Sequence, residues 1–175
     1  MNGKTRIFPG AAVFLILLIT MTGNGTHAKT LDVITSEKLP RVCYNGTSED
    51  VVSMVDNAVE LVSEIGPEAA FRQFMAPESG YINGDLYVFV LDLSGTIVAH
   101  GNSPRAIGSN VIQSRDRNGN YFVRSILLQA AVQGYGWVDY EWFSPCTGEL
   151  ASKRVYFKRT GDFVICVGLY KALEA

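Results

Sequence analysis

Three segments near the carboxy-terminal end of the chain, GWVDYEWFS, LASKRVYFKR and DFVICVGLY, are rich in β-branched and aromatic residues and are joined only by the turns PCTGE and TGD. Links this short connect antiparallel neighbours, because a parallel crossover needs a dozen or more residues. The chain is therefore committed to an antiparallel meander, and everything before it must pack on or beside that sheet.

The preceding sequence supplies two more strands. LYVFVLD and TIVAH flank the turn Leu93-Ser94-Gly95 and read as a hairpin, so five strands are expected, with the first two flanking the last three. Further upstream the period changes. In TSEDVVSMVDNAVELVSEIG, the residues Val51, Val55, Ala58, Val62 and Ile65 recur at steps of four and three, one face of a helix. Thr47 is placed to cap it, with Asp50 reaching back, and Gly66-Pro67 ends it and starts a second short helix, PEAAFRQFM. Between the hairpin and the meander lie GNSPRAIGSNVIQSRDRNGN, long for a structureless loop and so read as functional or partly ordered, and YFVRSILLQAAVQ, a helix stopped by Gly134 and Gly136. The fold class is α+β: an antiparallel sheet with a long amino-terminal helix and a helix-containing loop over one face.

The start of the chain places Lys4 and Arg6 before an apolar run from Ala11 to Ile19, too short for the roughly 20 residues that span a bilayer. It reads as a secretory signal over residues 1–28, with cleavage after Ala28, a polar lead over 29–46 and one domain over 47–175. The protein is expected in the periplasm or secreted. A formal net charge of -2 and the lack of a basic run exclude an electrostatic footprint for nucleic acid. Of three cysteines, Cys166 sits in an apolar strand, which leaves Cys43 and Cys146 as the candidate disulfide in an oxidising compartment.

Chemistry-bearing residues are sparse. DRNG at Asp116 to Gly119 has the start of a calcium loop but none of the later ligands, so it reads as a turn that opens the next helix, and no metal site is expected. Asn45-Gly46-Thr47 matches a glycosylation sequon but is equally a loop residue before a helix cap, and carries no assigned role. Of the two histidines, His27 leaves with the signal, so a histidine-based site would rest on His100 alone; by itself it reads as structural before it reads as a ligand contact. In the meander, the period of two puts Val138, Tyr140 and Trp142 on one face of their strand and Trp137, Asp139, Glu141 and Phe143 on the other. The next strand interleaves Lys153, Val155 and Phe157 with Arg154, Tyr156 and Lys158. Cationic and hydroxyl groups among aromatics are what an anion pocket requires, since apolar walls strengthen the hydrogen bonds they enclose.

The series GDLYVFVLDLSGTIVAHG, IGSNV, DRNGNYFV, GWVDYEWFSPCTGE, Lys153, Tyr156 and GDFVICVGLY, in that order from about Glu49 to Tyr170, resembles the single Cache domain family, type 2. That resemblance implies an extracytoplasmic, PAS-like sensor module of the kind found in bacterial chemoreceptors and kinases, holding a small ligand, often a short organic acid. It implies a ligand-binding set of His100, Trp137, Tyr140, Trp142, Lys153 and Tyr156, beside Gly136 and Val138. Tyr87 and Arg105 are added because they are placed to reach the same cavity. The turn Ser144-Pro145-Cys146-Thr147-Gly148 departs from the family's N-P-x-T-G.

The expectation is a binding domain with no cofactor and no catalytic residue, in which Lys153 neutralises a carboxylate and loop 101–120 is the lid. The sequence ends soon after Tyr170, so the domain is expected either to hand a ligand-dependent shape to a membrane receptor or sensor kinase or to act as a free periplasmic solute-binding protein. Pairing of two copies through the long helix is an open alternative to burying that helix in its own core. Two other readings stand beside this one. One is a small α+β enzyme of the cone-shaped barrel type with Asp139 or Glu141 as a buried base, and the other is an adaptor domain whose aromatics pack without a cavity.

Overall fold

The computed structural model describes residues 46–172. Cys43, Asn45 and the signal segment lie outside the described residues. Helix α1 (Ser48–Ile65) begins at Thr47, whose side-chain oxygen accepts from the Asp50 amide at 3.2 Å while the Asp50 carboxylate accepts from the Thr47 amide at 2.8 Å. This reciprocal cap satisfies two amides that a helix start otherwise leaves exposed. Gly66, at φ 80°, breaks the helix, and Pro67 opens α2 (Pro67–Phe74).

The sheet follows in an order that the short turns dictate. Strands β2 (Leu86–Asp92) and β3 (Ile97–His100) form the hairpin, and β4 (Tyr135–Phe143), β5 (Leu150–Thr160) and β6 (Phe163–Ala172) form the meander. A two-residue strand, β1 (Ile82–Asn83), adds a sixth member on the same edge of β2 as β3. The path is β1-β2-β6-β5-β4, with every pairing antiparallel, so the hairpin joins the meander through β2 and β6 at the centre. Helix α3 (Phe122–Val132) precedes β4; Gly134, at φ 82°, turns the chain after it, while Gly136 lies within β4 rather than stopping the helix.

The two faces of this sheet have different fates. One packs under α1 and α2, where Val51, Val55, Ala58, Phe71 and Phe74 meet Val88, Val90, Ile165 and Val167. Val51, Val55 and Ala58 of the helix pattern are thus spent inside the domain's own core, Val62 packs partly against it, and Ile65 stays exposed. The other face packs under α3 and the segment 101–121, with Phe122, Val123 and Ile126 against Phe89, Val155, Phe157 and Cys166.

The long segment is ordered by backbone pairing to the hairpin: the Ile97 amide donates to Ser109 at 3.0 Å, Gly108 to Ile97 at 2.8 Å, and Val111 to Gly95 at 2.8 Å. Its DRNG portion is a tight turn. The Asp116 carboxylate accepts from the Asn120 amide and side chain at 2.8 and 2.9 Å. Burial pushes that carboxyl up, but these hydrogen bonds outweigh it and hold the group below the usual carboxylate range. The Arg115 and Arg124 guanidiniums lie 4.2 and 4.0 Å from the Tyr121 ring centre and tie the segment to α3. Among the described residues, no cluster of three metal-ligating side chains occurs, and no helix is long and apolar enough to cross a membrane.

Candidate functional site

The site is built on the face of the sheet that α3 and the loop cover. Strict alternation puts Lys153 of β5 on that face, and the register sets it directly opposite Tyr140 of β4 on one side and Tyr170 of β6 on the other. Lys153 is only 3% exposed, and its ammonium donates to the Tyr87 hydroxyl at 2.9 Å. Tyr87 in turn shares a 2.9 Å hydrogen bond with the Tyr170 hydroxyl. Four rings surround the ammonium, with the centres of Tyr87, Phe89, Tyr140 and Tyr170 at 4.8, 5.1, 5.9 and 4.8 Å. Ring faces stabilise a cation but do not cancel its charge. Among the described residues no carboxylate lies within ion-pair distance of it, since the ion pairs found there are Arg154–Asp139 and Lys158–Asp56.

Beside the ammonium is a cavity of about 80 Å³. Lys153, Tyr140 and Trp142 rise into it from the meander, Tyr87, Phe89 and His100 from the hairpin, and Val111, Ser114 and Phe122 close it from segment 101–121 and α3. Phe122 stacks on Tyr140 with the ring centres 4.0 Å apart and the planes 9° from parallel. Trp142 meets Phe122 edge-on at 5.4 Å and stays 39% exposed, so it forms the cavity's outer wall. Burial pushes the Tyr140 and Tyr170 hydroxyls and the Cys166 thiol up, and all three remain protonated. His100 stacks on Tyr87 at 4.9 Å. Burial first, and the Lys153 ammonium second, pull its imidazole down to about 4, so it is neutral at physiological pH.

Of the eight side chains expected at the site, five come together here: Tyr87, His100, Tyr140, Trp142 and Lys153. Three do not. Trp137 and Tyr156 are register partners on the opposite face, their rings 5.0 Å apart in the core under the helices, with the Arg154 guanidinium 4.9 Å over Trp137. The β4–β5 register runs unbroken from Tyr135 to Phe143, so no bulge re-aims Trp137 toward Tyr140. Arg105 sits in a short 3-10 turn, Pro104–Ala106, and is exposed away from the cavity. Trp137→Ala is accordingly expected to cost about 2–4 kcal/mol of stability, as large-to-small core changes do, with ligand affinity unchanged. Urea melts and calorimetric titrations of the same variant check both halves, and a tenfold loss of affinity would return Trp137 to the site.

Several residues join the site that sequence reasoning left out. Tyr170 and Phe89 were visible only as strand residues, and Phe122 only as a helix residue; Ser114 lay in the stretch expected to be the lid, with nothing to single it out there. Gly168 has the clearest role, because a Cβ there would stand 2.4 Å from Lys153 Cε. Its missing side chain is the space through which Lys153 reaches the cavity. Neither acid proposed as a buried base lines the cavity: Asp139 is 64% exposed beside Arg154, and Glu141 lines a separate outer groove with Arg115, Arg117 and Phe143. Cys146 is disulfide-bonded and Cys166 is a free, buried thiol, while the Cys43 half of the expected pair lies outside the described residues.

The family model described as Single Cache domain 2 matches residues 52–172. The chain belongs to the single Cache domain 2 family. Single Cache domains are extracytoplasmic sensor domains, and the fold of this Cache domain recurs in solved structures. A crystal structure of a methyl-accepting chemotaxis protein from Vibrio parahaemolyticus RIMD 2210633 has a TM-score of 0.60 at 20% identity, over 70% of this chain and 86% of that one. A structure titled for carboxylic acid recognition by a Cache chemosensory domain has 0.62 at 18%, over 70% and 92%. A periplasmic sensor domain of a chemotaxis protein has 0.56 at 23%, over 70% and 88%. At these identities the likeness is one of fold. No curated protein matches the sequence.

Proposed function

We propose that this Cache domain is a periplasmic sensor that binds a short organic carboxylate in the cavity beside Lys153 and passes the resulting change of shape to a membrane receptor or kinase. The observation that carries this reading is a buried ammonium, ringed by aromatics, that faces a cavity with no carboxylate in its lining. Such a charge is costly until an anion pairs with it, and a carboxylate entering the cavity would gain a charge-assisted hydrogen bond in a setting that excludes water. About 80 Å³ accommodates a few non-hydrogen atoms, well below the volume of drug-sized sites. The Tyr140 hydroxyl and neutral His100 are placed to orient the anion. One of the similar structures is titled for carboxylic acid recognition, which supports the same ligand class here.

The test is thermal unfolding of the secreted domain with acetate, propionate, lactate and pyruvate, with chloride at equal ionic strength as control. A ligand at 100 times its dissociation constant adds about 2.7 kcal/mol of stability, which is several degrees for a domain of this size. Because His100 stays neutral, the shift is expected to be the same at pH 6 and pH 8. A melting curve that none of these acids moves would remove the carboxylate reading.

A further inference from the structure

The lid begins with a contact that has nothing to do with packing. The backbone amide of Ser103 donates to Nδ1 of His100 at 2.9 Å. A nitrogen that accepts an amide proton carries its lone pair outward, so in the neutral ring the proton must sit on Nε2. The ring itself is held flat against Tyr87 and Phe89, with centres 4.9 and 5.9 Å away. Its first bond is thus used by the lid, and its second nitrogen is the polar group it offers to the cavity.

The groups around it set what it can meet. The charged group facing His100 is the Lys153 ammonium on β5; the titratable groups are the hydroxyls of Tyr87 on β2 and Tyr140 on β4. The lid adds the neutral hydroxyl of Ser114 and no charge. The inventory is one cation, the neutral N–H groups of His100 and, on the outer wall, Trp142, and hydroxyls, with no acceptor-only side chain in the lining.

We propose that the Ser103 amide locks His100 as the Nε2–H tautomer, and that this fixed neutral donor makes the site prefer a short carboxylate with an uncharged acceptor at its 2-position, a 2-oxo acid above all, over the plain alkanoate and the 2-ammonium acid of equal length. The inference rests on the reading of the cavity as the carboxylate site. Lys153 takes the carboxylate and His100 donates to the adjacent oxygen. An ammonium at the same position finds no carboxylate and stands in the field of Lys153, whereas a methylene leaves the His100 N–H without an acceptor.

Three acids of equal length separate the possibilities: propionate, pyruvate and alanine, titrated calorimetrically into the full secreted domain. Pyruvate is expected to bind about three- to tenfold more tightly than propionate, the worth of one neutral hydrogen bond, and alanine more than about 100-fold more weakly than pyruvate. In His100→Phe, which keeps the stack on Tyr87, the pyruvate-to-propionate ratio falls to about one, whatever affinity the two acids lose in common. His100→Gln, whose amide N–H extends to a similar reach, restores part of the preference. Long-range ¹⁵N–¹H spectra of the imidazole give a readout independent of affinity, with the proton on Nε2 in free and bound protein. Equal binding of pyruvate and propionate by the wild type, tight binding of alanine, or a proton found on Nδ1 would each overturn the inference while leaving the carboxylate site standing. Failure of all three acids to bind would overturn both.

Discussion

Lys153→Met is expected to abolish carboxylate binding while leaving the unliganded domain as stable as the wild type or more so. The two effects have one cause. Without a ligand, the Lys153 ammonium is buried, gives one hydrogen bond to Tyr87 and has only ring faces for compensation. Replacing a buried charge by an apolar side chain of similar shape is commonly neutral or stabilising by about 1–4 kcal/mol. Tyr87 keeps its bond to Tyr170, so its hydroxyl is not orphaned by the change. With a ligand, the same charge is half of a desolvated ion pair, and losing one member costs about 2–5 kcal/mol or more, which is roughly thirty- to several-thousand-fold in affinity. Urea midpoints of the free protein and titration with the best acid of the panel provide the two numbers. A merely structural lysine would give the reverse pattern, a large stability loss with affinity little changed, and that result would dismiss the site.

The parity of Tyr140, Trp142 and Lys153 was legible because a regular strand offers only two faces, and these three share one. The same parity places Trp137 and Tyr156 on the other. Their inclusion in the expected site came from a family pattern read along the chain, and a motif in sequence order does not say which side of a sheet each member occupies. Trp137 and Tyr140 are three residues apart, as are Lys153 and Tyr156, so an uninterrupted strand could never have joined them. The long helix was equally legible, down to Thr47 and Asp50, because capping is local chemistry. What could not be read was non-local. Tyr170 opposes Lys153 only through the β5–β6 register, Phe122 meets Tyr140 only once α3 has docked, and the Ser103 amide reaches His100 only in the folded loop. Strand β1, at two residues, is too short to show any period.

The largest effect reachable without touching a ligand-contacting group is expected at Gly168. It lies on β6 opposite Val155, and an added methyl would meet Lys153 Cε at 2.4 Å, Val155 Cγ2 at 3.0 Å and Lys153 Cγ at 3.2 Å. No carbon pair tolerates the first of these. The strand backbone is paired to β5 at Gly168 and to β2 up to Val167, and Val155 is fully buried, so the part that can yield is the outer half of the Lys153 side chain. Gly168→Ala should therefore fold, at an overpacking cost of about 1–3 kcal/mol, with the ammonium pushed out of the ring of Tyr87, Phe89, Tyr140 and Tyr170. Affinity for the carboxylate then falls about as far as in Lys153→Met, although Lys153 is still present. Combining the two substitutions separates this mechanism from general damage. Once Lys153→Met has removed the charge, nothing is left to misplace, so adding Gly168→Ala should cost stability but no further affinity, a non-additivity that a calorimetric double-mutant cycle measures directly. Additive losses of affinity would mean that Gly168 acts on the site by some route other than Lys153.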